Sequence, residues 1–363
     1  MKKIFIAATK QNDGKTSVSL GLMSNFKDRF RKVAFIKPIG QRYLEEDGVK
    51  VDEDSILIEK VCGFHCKLKD MSPIAVEKGF TEKYITSPDK RSITAQIKEA
   101  YRRISKGQDL VIIEGTGHAG VGSVFEHSNA SVAKLLGAKV IIISSGGVGR
   151  PIDEIILNKA LFDKEGVKVL GVIVNKVLPT KFDKISELVR KGLSRQGIKV
   201  LGVIPYDPML SRFTIEQILE ETKFKLVCGK DFIEKMVSSV VVGAMQSKDA
   251  VKYIVDDSLL ITPGDREDII KVALEERRTT TIKEQLKIAG IILSGGIKPA
   301  PEIMELLCKA EIPVLFAEED TYAVASIVHD LTVKIRFRDT DKINRIIRLV
   351  RSNVDVGTIL KGM

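Results

Sequence analysis

The stretch ATKQNDGKTS, residues 8–17, ends in Gly14-Lys15-Thr16. Those three types in that order close a phosphate-binding loop of pattern G-x-x-x-x-G-K-S/T. Successive backbone N–H groups of such a loop wrap phosphate oxygens, and the helix that follows turns its N-terminus to them. Lys15 then neutralises the β- and γ-phosphates, and the Thr16 hydroxyl reaches Mg²⁺. The pattern asks for glycine at position 9, where Thr9 stands. Three readings are open: a working nucleotide site, a variant with its own chemistry, and a chance GKT in a surface turn. The first reading makes Thr9, Lys10, Gln11, Asn12, Asp13, Gly14, Lys15, Thr16 and Ser17 the nucleotide-contacting set. Thr9 is compatible with it if the backbone there keeps φ negative.

Other residues are of the right type to complete the site. Mg²⁺ takes hard oxygen ligands. Glu114 ends the apolar run VIIE and would point into the crevice at a strand's carboxyl end. Asp54, in VDEDS, is a second candidate, with Asp52 its nearest competitor; either is also a plausible helix-capping acid. Lys37, in FIKPIG, follows another apolar run and suits a phosphoryl group or a carboxylate. Asn175 closes GVIVNK and can hydrogen-bond a base. The aspartate that reads guanine in an NKxD motif is absent, which points to adenine. GTGHAGVGS, Gly115 to Ser123, lets backbone approach a ligand closely, and His118 within it can act in proton transfer or be a polar surface residue. CGFHC, Cys62 to Cys66, offers two thiols and His65 but lacks the second half of a zinc site, and a buried helical turn is the alternative. Farther on, Asp265, Arg266, Ser294, Gly295 and Gly296 form a second candidate site. LSGG between a strand and a proline-started helix fits an anion site, a ligand-free tight turn or a dimer interface.

The elements that must position these residues are legible. Lys3–Ala7, Val33–Lys37, Leu110–Glu114, Val140–Ser144, Val169–Asn175 and Val200–Ile204 are short apolar, β-branched runs, as expected of strands buried on both faces of a parallel sheet. Helical segments at Thr16–Phe30, Thr94–Ser105, Ser131–Leu136, Asp153–Phe162 and Lys181–Gln196 alternate with them. This is the pattern of a doubly wound α/β domain, expected over residues 1–212. YDPMLSRF, 206–213, marks the boundary. A second, smaller α/β domain is expected over 213–335, with strands Ser238–Val242, Ser258–Thr262, Ile288–Leu293 and Val314–Phe316 and helices Arg266–Glu276 and Ala300–Cys308. A helical tail follows over 336–363. Its stripe of Ile343, Ile346, Ile347 and Val350 is expected to pack on the second domain, with Arg345, Arg348 and Arg351 towards solvent.

Bulk properties agree. The 363 residues suit two domains. Lysine and arginine outnumber aspartate and glutamate by 58 to 48, giving a charge of +10. A basic chain attracts anions, nucleotides among them. No nucleic-acid-binding signature accompanies the charge, so no nucleic acid is expected. The 4 scattered cysteines are not a disulfide framework. No signal peptide and no membrane-length apolar run is read, so a cytoplasmic protein without membrane attachment is expected.

ATKQNDGKT, FIKPIG, VDEDS, VIIEGTG, VIVNKV and LGVIPYDP, in that order, resemble the dethiobiotin synthetase-like P-loop family over residues 1–210. The resemblance implies a doubly wound parallel sheet that binds ATP and Mg²⁺. It gives phosphate and metal roles to Lys15, Thr16, Asp54 and Glu114, sets Lys37 towards the phosphoryl group or substrate, and places Asn175 and the Pro205 segment at adenine. PGDRED, ILSGGIKPAPEIMELL and IPVLFAEEDTYAVASIV resemble a DRTGG domain over 215–330. The pairing resembles the amino-terminal regulatory half of long phosphotransacetylases, with this chain as a stand-alone member that ends where their acetyltransferase domain would begin. Dethiobiotin synthetase has Gly-Thr where Ala8-Thr9 stands, and its residues after the Lys-Pro differ from Ile39-Gly40-Gln41-Arg42. Lys10, five residues before Lys15, matches in part the signature lysine of deviant Walker A ATPases, which reaches phosphate across a dimer; a solvent-facing loop lysine is the alternative.

Two functions follow as expectations. One is an ATP- and Mg²⁺-binding regulatory or sensory ATPase that lacks acetyltransferase activity and takes a small-molecule ligand on its second domain. The other is an ATP-dependent synthetase that activates a carboxylate or carbamate as an acyl phosphate. Lys15, Lys37 and Lys10 are the candidate catalytic groups, and a homodimer or higher homo-oligomer is expected from the resemblance and Lys10.

Overall fold

The computed structural model describes residues 1–46, 48–63, 66–274, 277–278, 283–284, 288–331 and 333–363. The chain forms two compact units, one of Met1–Asp207 with Ile335–Met363 and the other of Pro208–Lys334.

The first unit is built on a six-stranded parallel sheet. Its strands are β1 (Lys2–Ala8), β2 (Val33–Ile36), β3 (Leu110–Glu114), β4 (Lys139–Ser145), β5 (Val169–Val177) and β6 (Val200–Pro205). They lie in the order β6-β5-β4-β1-β3-β2. Apolar runs such as Ile4–Ala8 and Leu110–Ile113 are wholly buried because helices cover both faces. The chain passes from β1 out to the edge strand β2, back to β3, then across β1 to β4. The strand order therefore reverses around β1, and the crevice beyond the carboxyl ends of β1 and β3 is where such sheets hold ligands. In-register pairing sets Ile6 against Glu114 and Ala8 against Ile143, so the loop after β1 and the acid ending β3 share that edge.

Six helices of this unit bear on the site or its support. The α1 helix (Lys15–Lys27) starts directly after the glycine loop. The α2 helix (Glu53–Cys62) is capped by the Asp52 carboxylate, which accepts from the Asp54 amide, and it ends at Gly63 in the left-handed region. The α3 helix (Lys90–Ser105) buries Ile93, Ile97, Ala100 and Ile104 at helical spacing. The α4 helix (Asn129–Leu135) follows the segment 115–128, and α5 (Arg150–Lys164) follows β4. The α6 helix (Phe182–Arg195) joins β5 to β6.

In the second unit, α7 (Ile215–Glu221) precedes a five-stranded sheet of β7 (Lys225–Cys228), β8 (Ser239–Val242), β9 (Ser258–Pro263), β10 (Gly290–Ser294) and β11 (Val314–Phe316). The order is β7-β11-β10-β9-β8, with β7 the antiparallel edge. Alternate residues feed two cores. Leu259 and Ile261 face α7 and α10 (Thr321–His329), while Leu260 faces α8 (Glu267–Leu274) and α9 (Pro301–Lys309). Residues 275–276, the expected end of α8, lie outside the described residues.

The terminal helices α11 (Thr340–Asn353) and α12 (Val356–Gly362) correct one expectation. Their stripe packs on the first unit, against α1, rather than on the second. Gly21 of α1 has no side chain, and a Cβ there would lie 2.4 Å from Val350 Cγ2. The two helices thus approach closely, burying Ile343, Ile346 and Val350. Arg351 reaches Asp28 at 2.6 Å, and Arg345 pairs with Asp207. Lys2 and Lys139 hold the carbonyls of Leu360 and Gly362. No described helix is long and apolar enough to cross a membrane.

Candidate functional site

The loop after β1 solves the Thr9 departure without strain. The left-handed residues are Asn12 (φ 67°) and Gly14 (φ 94°), and Thr9 is not among the positive-φ residues. The Thr9 amide continues the sheet by donating to the Ile143 carbonyl at 2.8 Å. Its hydroxyl donates to Asp13 Oδ2 at 2.6 Å, and the Lys10 amide donates to the same oxygen at 2.9 Å. Asp13 is therefore turned into the loop and buried, and burial pushes its carboxyl pKa up, against the Thr9 and Lys10 hydrogen bonds that pull it down.

Three side chains from elsewhere in the fold hold carbonyls of the loop. Asn175 Nδ2 donates to the Asp13 carbonyl at 2.9 Å, Asn158 Nδ2 to that of Thr9 at 3.2 Å, and Lys176 Nζ to that of Asn12 at 2.7 Å. Asn175, expected at adenine, thus commits its amide nitrogen to the phosphate loop. Lys10 is half-exposed and lies 3.6 Å from Glu154 of α5. Pro205 ends β6, while Gln11 is exposed and Ser17 half-buried beside the loop.

Around Lys15 and Thr16 the fold gathers charge. The Thr16 hydroxyl donates to Glu114 Oε1 at 3.1 Å. The Lys37 ammonium lies 2.8 Å from Asp52, in contact with Asp54, and 3.9 Å from Glu114. Sequence reasoning offered Asp54 and Asp52 as competitors; both converge on Lys37, because Asp52 caps α2 and Asp54 sits in its first turn. Burial lowers the Lys15 pKa, with Glu114 opposing that shift and Lys37 adding to it. Burial, with Asp54 adding to it and Lys37 opposing, raises the Glu114 carboxyl to about 7. Burial also lowers Lys37, but Asp54, Asp52 and Glu114 outweigh it and raise its pKa well above that of a free lysine.

This donor set fits a divalent cation brought by a nucleotide. Two ammonium groups, Lys15 and Lys37, face three carboxylates, Asp52, Asp54 and Glu114, so a hard cation relieves an excess of negative charge. Glu114 Oε2 and Asp52 Oδ2 are buried without a hydrogen-bond partner among the described residues. The described residues hold no group of three or more His, Cys, Asp and Glu set to bind a metal by themselves. Mg²⁺ at a phosphate loop takes one or two protein oxygens together with phosphate oxygens and water. Thr16, Glu114 and Asp54 are the residues that would hold it. Of the CGFHC stretch, His65 lies outside the described residues. Cys62 ends α2, and burial pushes its thiol up to about 11.

The glycine-rich stretch after β3 is tied to the same edge. Asn129 Oδ1 accepts from the Thr116 amide at 3.1 Å, and its Nδ2 donates to the carbonyls of Thr116 and His118. The Thr116 hydroxyl donates to the Ile39 carbonyl, and the Ala119 amide donates to Asn158 Oδ1 at 2.8 Å. His118 is exposed. Asn158, Asn129 and Lys176 were not singled out by the sequence. For Asn158 a signal existed: it falls on the same face as Ile155 and Phe162, a polar residue at a core-facing position.

In the second unit, the Gly295 and Gly296 amides donate to the carbonyls of Glu319 and Ala317. Ser294 is bonded to Thr321 at 2.8 Å, and Arg266 to Asp268 and the Met245 carbonyl. LSGG is a tight turn whose amides are spent on backbone.

The chain matches the AAA domain family over residues 2–214 and belongs to it. A DRTGG domain matches residues 217–331. Phosphate acetyltransferase of Nitratidesulfovibrio vulgaris is 27% identical over 97% of this chain and 50% of its own length. The ATP-dependent dethiobiotin synthetase of Methanococcus vannielii is 25% identical over 55% of this chain and 92% of its own length. The MinC:MinD cell division complex of Aquifex aeolicus covers 58% of this chain and 84% of its own at 18% identity, with a TM-score of 0.39. The chain spans about half the length of the curated acetyltransferases it matches. These relatives correct the functional expectation. Proteins from several bacteria, 23–27% identical over at least 95% of the chain, are phosphate acetyltransferases. An activity defined by the lack of acetyl transfer is overturned, and the synthetase alternative rests on likeness to little more than half of the chain.

Proposed function

We propose that this chain is an ATP- and Mg²⁺-binding part of phosphate acetyltransferase function, with its nucleotide site in the first unit. The convergence of Lys15, Thr16 and Glu114 on the crevice where the strand order reverses carries the reading. In it, the phosphate-loop amides and Lys15 bind the triphosphate, and Thr16, Glu114 and Asp54 hold Mg²⁺. Lys37 balances the acids and faces the terminal phosphoryl group. The bound cation supplies charge neutralisation at the phosphates. Asn175 and Pro205 border the adenine end, and Lys10 stands at the loop's outer edge, where a second copy of the chain in a homodimer can meet it.

Calorimetric titration of Mg-ATP into the wild type and Lys15→Ala tests the site, with acetyl transfer to phosphate followed in the same samples. Saturable binding that is weakened at least about tenfold in the variant supports it, since a charge-assisted contact is worth about 1.5–3 kcal/mol. A wild type that binds no nucleotide refutes it. A transfer rate indifferent to ATP in both proteins separates the nucleotide site from acetyl transfer. Light scattering with Mg-ATP that returns a monomer removes the dimer.

A further inference from the structure

Asn158 is a polar side chain that bridges two separate loops of the site. It sits mid-way along α5, 7% exposed, on the face that also buries Ile155 and Phe162. A polar group there costs stability unless it is satisfied. Both of its amide atoms are. Oδ1 accepts from the Ala119 amide at 2.8 Å. Nδ2 donates to the Thr9 carbonyl at 3.2 Å and to the Glu154 carbonyl of its own helix at 2.8 Å. One side chain thus links the first residue of the phosphate loop to the glycine-rich stretch 115–123.

We infer that Asn158 is a positioning residue that couples the phosphate loop to the 115–123 loop, so that nucleotide bound at one orders the other. The inference rests on the nucleotide reading above. The geometry gives the coupling a route. Thr9 also carries the hydroxyl that fixes Asp13, so a shift of the Thr9 peptide on nucleotide binding moves both the loop closure and the Asn158 amide. Because an amide group is planar and rigid, rotation at Nδ2 displaces Oδ1 and with it the Ala119 hydrogen bond. At the other end, Asn129 clamps Thr116 and His118, and α5 acts on that loop through the Ala119 amide. The ligand that the 115–123 loop would sense or present is one that meets the exposed His118 and the backbone around it, beside the phosphates.

The test is hydrogen–deuterium exchange of the full chain with and without Mg-ATP, for the wild type, Asn158→Ala and Asn158→Asp, with thermal midpoints recorded alongside. In the wild type, nucleotide slows exchange in both 9–16 and 115–123. In Asn158→Ala the protection of 115–123 is lost and Mg-ATP affinity drops about tenfold, as expected for one buried hydrogen-bond partner removed. Asn158→Asp keeps the acceptor for Ala119 but sets a carboxylate oxygen against the Thr9 carbonyl. It therefore keeps the basal exchange of 115–123 near wild type while losing the nucleotide response. A merely structural asparagine would raise exchange in both variants with and without nucleotide and lower both midpoints, which overturns the inference. Nucleotide protection of 115–123 that survives in Asn158→Ala also overturns it and leaves the nucleotide reading standing. A wild type silent to Mg-ATP in both loops removes the nucleotide reading and this coupling with it.

Discussion

Substituting Gly14 by alanine strains the site in two ways that can be separated. Gly14 holds φ at 94°, where an alanine costs about 1–2 kcal/mol. A Cβ built there falls 2.3 Å from Asn175 Nδ2, which must move. Moving it breaks the 2.9 Å hydrogen bond to the Asp13 carbonyl and leaves a buried acceptor unmatched, at about 1–3 kcal/mol. The loop's binding-competent form is then about 2–5 kcal/mol less favourable, and Mg-ATP affinity falls roughly 30-fold or more. Asn175→Ala alone removes only the hydrogen bond and costs about 1–3 kcal/mol. In the double variant the clash is gone and the hydrogen bond is lost once, so its cost matches that of Gly14→Ala. The two changes are therefore non-additive by about 1–3 kcal/mol. Calorimetric titration of the four proteins reads this cycle directly. Costs that simply add would refute the account of Asn175 as the strut of the phosphate loop.

Three further outcomes are expected. The Glu114 carboxyl in the folded chain titrates near 7, above the 4.5 of an exposed glutamate. Between those values the folded chain keeps a proton that the unfolded chain has released, so stability falls as pH rises from about 4.5 to about 7 and then levels. Glu114→Gln flattens that slope in urea titrations. Mg²⁺ competes with the same proton, and Mg²⁺-dependent nucleotide affinity weakens as pH drops below about 7 in the wild type. Lys37→Met leaves Asp52, Asp54 and Glu114 uncompensated and destabilises the chain at pH 8 by about 3–5 kcal/mol. Urea titration at pH 5.5, roughly one unit or more below the raised carboxyl, shows part of that loss restored; equal loss at both pH values would place the lysine outside the acid cluster. Ile346→Ala removes a side chain 1% exposed between α11 and α1 and costs about 2–5 kcal/mol. Circular dichroism melts that show no drop in the first unit's midpoint would deny that α11 is part of its core.

Much of the fold is written locally. The strands β1, β3 and β11 are apolar runs whose ends the sequence marks, and the phosphate loop announces itself by Gly14, Lys15 and Thr16 between a strand and a helix. Glu114 and Lys37 are found because a polar residue closing a buried strand is conspicuous. The hairpin of Tyr43–Glu46 with Val49–Asp52 is less visible, since its strands are four residues each and mix Leu44, Val49 and Val51 with four charged residues. It brings Asp52 to its capping position, so the paired use of Asp52 and Asp54 is not evident from VDEDS alone.

The sequence by itself determined the six strands of the first sheet and most of the helices between them, which of their faces are apolar, and which residue types can bind phosphate and metal, because those depend on periodicity and on chemistry within a few residues. Tertiary structure decided the rest. The stripe of α11 reads the same whichever surface covers it; Gly21, more than three hundred residues earlier in the chain, chooses α1. Asp13 reads only as a member of the phosphate loop, and the fold turns its carboxylate onto Thr9 and Lys10, closing the loop. Asn158 reads as one polar position in a helix and becomes a bridge because Thr9 and Ala119 arrive at its two amide atoms from other parts of the chain. Hydrogen-bond partners at long separation leave no local pattern, so they appear only once the sheet has brought its carboxyl edge together.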